Sequence, residues 1–319
     1  MSVRRALVTG GAGFIGSHVA EALASHGFDV TAIDDLSSGR RANLVPGIRL
    51  EELDIRSSEA ARLVTAGGYA VICHLASQID VRKSVADPVA DASRNILGSL
   101  NLLEAARQAP TPPRVVFSST GGAVYGDFID PPSDEVQPKD PESPYGIAKL
   151  ATEYYLAYYG RVHRMDVVTL RYANVYGPRQ DPHGEAGVVA IFCQRLLAGA
   201  PLTVFGDGRQ TRDYVFVGDV ARANVLAAGA SLPAAGRLDD RAFNIGTGIP
   251  TSVLELAEAL QRAAKSTTKV EHAAARPGEQ QRSFIAVKKA ARALGWTPDM
   301  ALDAGLAATY DWFRTNAAS

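Results

Sequence analysis

The stretch Thr9-Gly10-Gly11-Ala12-Gly13-Phe14-Ile15-Gly16 follows a short apolar segment at 5–9 and precedes apolar residues that recur at helical spacing. Glycines at 10, 13 and 16 permit a tight turn, a close approach of the backbone to a pyrophosphate, and close helix–strand packing. The helix N-terminus offers free amides and a positive dipole end to phosphates. The stretch therefore predicts a strand, turn and helix that bind a dinucleotide through Gly10, Gly13, Phe14, Ile15 and Gly16.

Strand and helix patterns alternate along the first half of the chain. Strands are predicted at 5–9, 29–34, 49–54, 70–75, 114–118 and 166–171, and helices at 14–26, 89–108 and 145–161. Strands separated by helices imply parallel pairing with right-handed crossovers. We therefore predict an α/β protein with a doubly wound, Rossmann-like parallel sheet.

The alternation of strand and helix patterns becomes irregular after residue 176. Strands are predicted at 202–205 and 242–245, and helices at 217–230, 253–264 and 306–316. We expect a cofactor domain at 1–175 and a smaller C-terminal α/β substrate lobe at 176–319. Segments near 202–245 are candidates for returning to the first domain.

Composition excludes several classes of protein. The chain has 319 residues, 46% of them hydrophobic and 21% charged, which is typical of a globular protein and not of disordered, coiled-coil or collagen-like chains. The 33 Lys and Arg residues balance 34 Asp and Glu residues, so the net charge does not attract nucleic acid or an anionic membrane. An anionic ligand would therefore have to be bound by arginines within its own site. Two distant cysteines predict neither disulfides nor a zinc site. With no signal peptide or membrane-spanning run recognisable, we expect a cytoplasmic protein.

Residues at the ends of the predicted strands indicate which dinucleotide binds. Asp34 ends the second strand, where it accepts hydrogen bonds from the adenosine ribose and repels a 2′-phosphate, so NAD is favoured; Arg40 and Arg41 leave NADP open. Asp54 and Ile55 follow the third strand and are predicted adenine contacts. Small residues after the fourth strand would let the nicotinamide half pass closely: Leu75, Ala76, Ser77 and Gln78.

A tyrosine and a lysine four residues apart begin the helix at 145–161. This spacing places Tyr145 and Lys149 on one helical face. A nearby ammonium favours the phenolate, so Tyr145 could act as a base near neutral pH, and Lys149 could also bind the nicotinamide ribose. The preceding strand ends in the hydroxyls of Ser118, Ser119 and Thr120, which could bind a substrate oxygen.

These motifs together resemble the extended short-chain dehydrogenase/reductases, and within them the NAD-dependent nucleotide-sugar epimerases. The resemblance also covers five downstream motifs: LRYANVYGPR at 170–179, VFGDG at 204–208, TRDYV at 211–215, FNIGTG at 243–248 and RPGE at 276–279. It implies that Tyr145 is the base, Lys149 its partner and Thr120 the active-site hydroxyl. One extra residue in 121–123 leaves Ser119 as the alternative.

The resemblance also implies ligand contacts. Further cofactor residues would be Asp35, Ser38, Gly39, Asn95, Ser118, Tyr172 and Ala173. Arg212 and Arg276 would hold a substrate diphosphate, a task that suits the guanidinium fork. Glu279 would bind a ribose hydroxyl. The rest of the substrate site would comprise Asn174, Gly187, Val188, Thr203, Val204, Phe205 and Tyr214.

The implied activity is the interconversion of UDP-glucose and UDP-galactose through a 4-keto intermediate, by a homodimer. Residues 121–123 lack the acids of the related dehydratases and decarboxylases, which argues against both activities. A small residue, Ser283, leaves UDP-N-acetylhexosamines open, and Arg179 is a candidate contact for UDP-glucuronate. The sequence is also compatible with a dTDP-hexose 4-epimerase and with a non-catalytic NAD-binding protein.

Overall fold

The computed structural model describes residues 3–127, 130–182, 187–234, 236–276 and 280–316. Its strands are β1 (Arg5–Thr9), β2 (Asp29–Asp34), β3 (Arg49–Glu52), β4 (Val71–His74), β5 (Arg114–Thr120), β6 (Val167–Tyr172), β7 (Asn174–Tyr176), β8 (Leu202–Phe205), β9 (Thr211–Phe216), β10 (Ala242–Ile245), β11 (Pro250–Ser252), β12 (Val270–Ala273) and β13 (Arg282–Ser283). Seven form one parallel sheet in the order β10-β6-β5-β4-β1-β2-β3. The prediction of a doubly wound α/β sheet is confirmed.

The helices cover both faces of this sheet and build the C-terminal part. They are α1 (Phe14–Ser25), α2 (Ser58–Ala66), α3 (Val81–Ala86), α4 (Pro88–Ala92), α5 (Gly98–Arg107), α6 (Pro144–His163), α7 (Val188–Leu197), α8 (Val217–Gly229), α9 (Val253–Ala264), α10 (Lys288–Leu294) and α11 (Leu302–Asn316). In the part of the chain that the structure describes, none of them is long and apolar enough to cross a bilayer.

Apolar side chains alternate between two cores because successive strand residues point to opposite faces. Ala6 and Val8 of β1 pack with α1 and α8, whereas Leu7 packs with α2, α5 and α6. A third core lies in the C-terminal part, between β8 and the helices α7, α9 and α11. Because helices cover both faces of the sheet, the residues of β1 and β4 are nearly all buried, and most of them are apolar.

Two predictions about segments need correction or completion. The single helix predicted at 89–108 is divided into α4, a π-helical turn at Ser93–Leu97, and α5. Of the segments at 202–245, β10 joins the large sheet beside β6 and α8 packs on α1, whereas β8 pairs with β12 away from that sheet. The division of the chain near residue 175 stays a prediction.

Candidate active site

The glycine turn after β1 has no room for side chains at Gly10 and Gly16. Gly10 has φ +66°, and a Cβ there would lie 2.8 Å from the Ala76 amide nitrogen. A Cβ on Gly16 would lie 2.0 Å from the Gly10 carbonyl oxygen. Gly13 caps α1 without a side-chain hydrogen bond, which leaves the first-turn amides available to an anion. This cradle fits the pyrophosphate of a dinucleotide.

Asp34 lies beside this turn at the end of β2. Its carboxylate accepts hydrogen bonds from the amides of Ala12 and Leu36, both at 2.9 Å, and burial raises its pKa. A Cβ on Gly39 would come within 2.5 Å of the same carboxylate. The adjacent Asp35 and Ser38 are exposed. Arg41 bonds to Glu52, and Arg40 lies 3.9 Å from Asp181, so both candidate 2′-phosphate ligands have acidic neighbours.

The predicted adenine contacts lie at the end of β3. Arg56 pairs with the Asp54 carboxylate at 2.5 Å and holds the pKa of this group below its usual range. Ile55 is buried against Gly98. The adenine contact of these residues stays a prediction.

Asn95 organises the loop that follows β4. It lies in the π-helical turn, a feature found frequently at functional sites. Its side-chain oxygen accepts hydrogen bonds from Ser77 Oγ (2.9 Å) and the Gln78 amide (2.7 Å), and its nitrogen donates to the Gln78 carbonyl (2.9 Å) and to Asp91 (3.0 Å). Asn95 therefore holds Ser77 and Gln78 in place, and Leu75 and Ala76 border the glycine turn.

Tyr145 and Lys149 occupy the first turns of α6. Ser143 caps the helix, Pro144 is its first residue, and the Tyr145 amide donates to Ser84 Oγ at 3.2 Å. Lys149 Nζ donates to the Ser118 carbonyl at 2.9 Å and lies 5.8 Å from the centre of the Tyr145 ring. Burial lowers the pKa of Lys149 to about 8. The ammonium and the ring thus lie on one side of α6, as the spacing predicted, and their catalytic role stays a prediction.

Only one of the two candidate hydroxyls is open to the crevice beside Gly122 and Asn174. The Ser119 hydroxyl donates to Glu153 at 2.5 Å inside the protein, so the alternative that Ser119 contacts substrate is wrong. Thr120 is partly exposed, and a Cβ on Gly122 would lie 3.8 Å from its hydroxyl oxygen and 3.7 Å from Asn174 Oδ1. Thr120 and Asn174 therefore border the same space.

Glu153 and Arg171 form a buried ion pair beneath this crevice that sequence reasoning missed. Arg171 is 0% exposed, and its guanidinium donates to Glu153 at 2.6 Å, to Asp239 at 2.8 Å and to the Tyr125 hydroxyl at 3.1 Å. In the sequence, the only indication of this ion pair was that Glu153 lies four residues after Lys149 within a largely apolar helix. The pair joins α6 to the end of β6.

Three predicted ligand residues direct their side chains into the cores. The Tyr172 hydroxyl accepts a hydrogen bond from Asn224 at 2.8 Å, in the core beside α8. Val204 and Tyr214 belong to the C-terminal core. Strand alternation turns the side chains of Tyr172 and Val204 inward, so their predicted ligand contacts would be made by the backbone. Ala173, after β6, is half-buried.

The C-terminal part supplies two arginines without salt bridges among the described residues, Arg212 and Arg276. Asp213 is not among the partners of Arg212; its buried carboxylate accepts hydrogen bonds from Thr247 and from the Gly248 amide instead. Arg276 stacks on Phe205 at 3.8 Å from the ring centre.

The other predicted substrate residues have different settings. Thr203 is half-buried on β8, Gly187 caps α7 beside Gln180, and Val188 follows it. Glu279 lies outside the described residues.

Arg179 and Ser283 were the residues expected to decide sugar specificity. Arg179 pairs with Glu21 of α1 at 2.7 Å and bonds to Ser17, so its proposed contact with a glucuronate carboxylate is wrong for this conformation. Ser283, on β13, lies opposite Arg212 of β9 in the strand register.

The two cysteines and His74 have ordinary structural settings. Both cysteines are free and buried. Both ring nitrogens of His74 are hydrogen-bonded, to Thr9 at 2.7 Å and Ser99 at 2.9 Å.

Similarity to known proteins agrees with this geometry. Residues 6–246 match the model of the NAD dependent epimerase/dehydratase family. The UDP-glucose 4-epimerase of Mycolicibacterium smegmatis is 45% identical over 97% of this chain and 98% of its own length. Two solved structures, each 43% identical over 98% of this chain and 99% of theirs, are the Thermotoga maritima UDP-glucose 4-epimerase with UDP-glucose (TM-score 0.92) and the Thermus thermophilus enzyme with NAD (TM-score 0.89).

Proposed function

Since the chain belongs to the NAD dependent epimerase/dehydratase family, we propose that it is a 4-epimerase that interconverts UDP-glucose and UDP-galactose. The observation that carries this proposal is the pairing of Tyr145 with a buried Lys149 beside the dinucleotide cradle. The stretch 121–123 contains no acid for elimination or decarboxylation. Epimerisation needs only a base, a hydride acceptor and a 4-keto sugar that can rotate within the site.

Each residue of the proposed site has its own role in the reaction. The Lys149 ammonium stabilises the phenolate form of Tyr145, which removes the proton of the sugar 4-hydroxyl and becomes the neutral phenol, and Thr120 hydrogen-bonds to the same sugar oxygen. The glycine cradle and Asp34 would hold NAD, which would supply the acceptor for the C4 hydride and the donor for its return. Arg212 and Arg276 hold the diphosphate, and Phe205 covers the base. Firm binding of the diphosphate and loose binding of the hexose let the flat 4-keto sugar present its other face.

Replacement of the base tests the proposal. The purified enzyme, incubated with UDP-galactose without added cofactor, should form UDP-glucose, followed by proton NMR of the anomeric signals. Tyr145→Phe should lose about 10²–10⁴-fold or more of this rate, because proton transfer is removed, and should keep its NAD. Tyr155→Phe is the matched control, since Tyr155 is an exposed tyrosine of the same helix.

Each outcome has a separate meaning. A wild-type enzyme that converts no UDP-hexose even with added NAD would refute the epimerase proposal. Near-wild-type turnover by Tyr145→Phe would refute only the assignment of the base.

Ser283 favours a second candidate substrate class, the UDP-N-acetylhexosamines. Its side chain is small, and its strand neighbour is Arg212, the proposed diphosphate ligand. UDP-N-acetylgalactosamine should therefore be converted in the same assay, and Ser283→Tyr should abolish this conversion while keeping that of UDP-galactose. UDP-glucuronate should be the poorest substrate, because Arg179 is paired with Glu21.

The assembly that we propose is a cytoplasmic homodimer. Exposed apolar side chains cluster on the helices from 88 to 97 and on α6: Val89, Leu97, Ile147, Tyr154 and Val162. Such a surface is typical of a protein interface, and two copies of α6 with its neighbours would form a helical bundle. The two reduced cysteines fit a cytoplasmic setting. Light scattering should give twice the chain mass of 33.7 kDa.

A further inference from the structure

Asp91, on α4, is a buried carboxylate with an unusual set of partners. It is 2% exposed and forms no salt bridge with any described residue. Oδ1 accepts hydrogen bonds from the side-chain amides of Gln78 and Asn95, both at 3.0 Å, whereas Oδ2 is buried without a hydrogen-bond partner. A buried charge without compensation costs several kcal/mol. Burial raises the pKa of Asp91, and hydrogen bonds and nearby cations lower it again. The carboxylate therefore stays ionised only with a positive charge nearby.

Lys149 is that charge, because α4 packs against α6 and the lysine is 4% exposed. The other ionisable groups around Lys149 are Tyr145 and Glu153 on its own helix and His74 on β4. The ring nitrogens of His74 are both hydrogen-bonded, and burial lowers its pKa to about 3, so it is neutral.

Glu153 contributes little net charge at Lys149. Its carboxylate accepts three hydrogen bonds from Arg171, two from Nε at 3.1 Å and one from Nη2 at 2.6 Å, and this arginine is wholly buried with it. Of the two carboxylates that face the lysine, only Asp91 has no salt bridge among the described residues. Arg94, which also lowers the pKa of Asp91, is exposed to solvent and therefore a weaker partner. Burial and Asp91 thus act on the pKa of Lys149 in opposite directions.

We infer that Asp91 is the counter-charge of Lys149, a positioning residue that keeps the ammonium protonated beside Tyr145. Through Gln78 and Asn95 it also links this charge to the loop that borders the proposed nicotinamide position. The catalytic consequence rests on the proposed function, whereas the charge pairing itself does not.

The pairing can be measured without any activity. The chain contains only seven lysines, so labelling with [13Cε]lysine gives few NMR signals, and Lys149→Arg identifies that of Lys149. The wild-type signal should titrate with a pKa of about 8. Asp91→Asn should lower this pKa by about one pH unit or more, because an opposite charge is removed. An unchanged pKa would overturn the inference.

Asp87→Asn is the matched control, since it removes the same charge from an exposed position four residues earlier. Asp87 caps α4 through the Ala90 amide, and asparagine caps helices equally well. This variant should leave the Lys149 titration unchanged. A shift as large as that of Asp91→Asn would mean that overall charge is responsible, and would also overturn the inference.

Catalysis provides the second readout. In Asp91→Asn the basic limb of the kcat/KM profile should move to lower pH by the same amount, because Lys149 loses its proton earlier, and Asp91→Glu should restore it. A lower kcat with an unmoved limb would indicate a merely structural role and refute the positioning role. Inactivity of the wild type toward all sugars would refute the proposed function and leave the titration valid.

A double variant covers the case in which Asp91→Asn does not fold alone. Lys149→Met leaves Asp91 without its cation and should lower the melting temperature. Adding Asp91→Asn to Lys149→Met should raise it again, because the uncompensated charge is then gone. A double variant no more stable than Lys149→Met would contradict the pairing.

Discussion

Gly16→Ala tests the close contact between α1 and the glycine turn. The added Cβ would lie 2.0 Å from the carbonyl oxygen and 2.8 Å from the carbonyl carbon of Gly10, against ordinary contacts of 3.4–4 Å. Both atoms are backbone, so the helix or the turn must move by more than 1 Å. Overpacking of this kind destabilises a protein by about 1–3 kcal/mol. The same movement displaces the amides proposed to bind the pyrophosphate.

Two measurements follow the two effects. Urea unfolding should show the free energy of unfolding reduced by about 1–3 kcal/mol. Bound NAD, released by acid and measured enzymatically, should fall well below the wild-type content. Gly229→Ala is the control, because no atom lies within 4 Å of a Cβ at the end of α8. It should leave both quantities unchanged.

A Gly16→Ala protein with wild-type NAD content and unfolding free energy would refute the reasoning. The turn would then tolerate a side chain, and the glycine spacing would not be evidence for a dinucleotide cradle.

Three further predictions concern buried and ligand-binding charges. Arg171→Met should lower the free energy of unfolding by about 3–5 kcal/mol, because Glu153 is left buried without its cation; a loss below about 1 kcal/mol in urea would contradict this. Burial lowers the pKa of His74 from 6.5 to about 3, so its contribution to stability is full above pH 6.5 and is lost as the pH falls toward 3, at up to about 1.4 kcal/mol per pH unit. His74→Gln should therefore flatten the acid side of the stability profile, and an equally steep profile would count against this reasoning. Arg276→Ala should weaken the binding of UDP by about 10–100-fold in calorimetry, since a charged hydrogen bond is lost, whereas an unchanged Kd would exclude it as a diphosphate ligand.

Spacing along the chain was enough to predict the sheet, the glycine turn and the placing of Tyr145 and Lys149 on one helical face. Each of these depends on short-range spacing: glycines at 10, 13 and 16, and a tyrosine and lysine four residues apart on one helix. Backbone geometry converts such spacings directly into positions in space. The alternation of strand and helix patterns implied the parallel sheet for the same reason.

Only the tertiary structure decided which of the neighbouring polar groups face the crevice. Ser119 and Thr120 are adjacent in sequence, yet one bonds to Glu153, 34 residues later, and the other borders Asn174. Arg179 is bound by Glu21, 158 residues earlier.

The roles of Asp91, Asn95 and Arg171 likewise depend on partners from other elements. A side chain's environment is the sum of contacts between distant segments, and no local pattern records them. That is why ion pairing and burial emerged only from the folded chain.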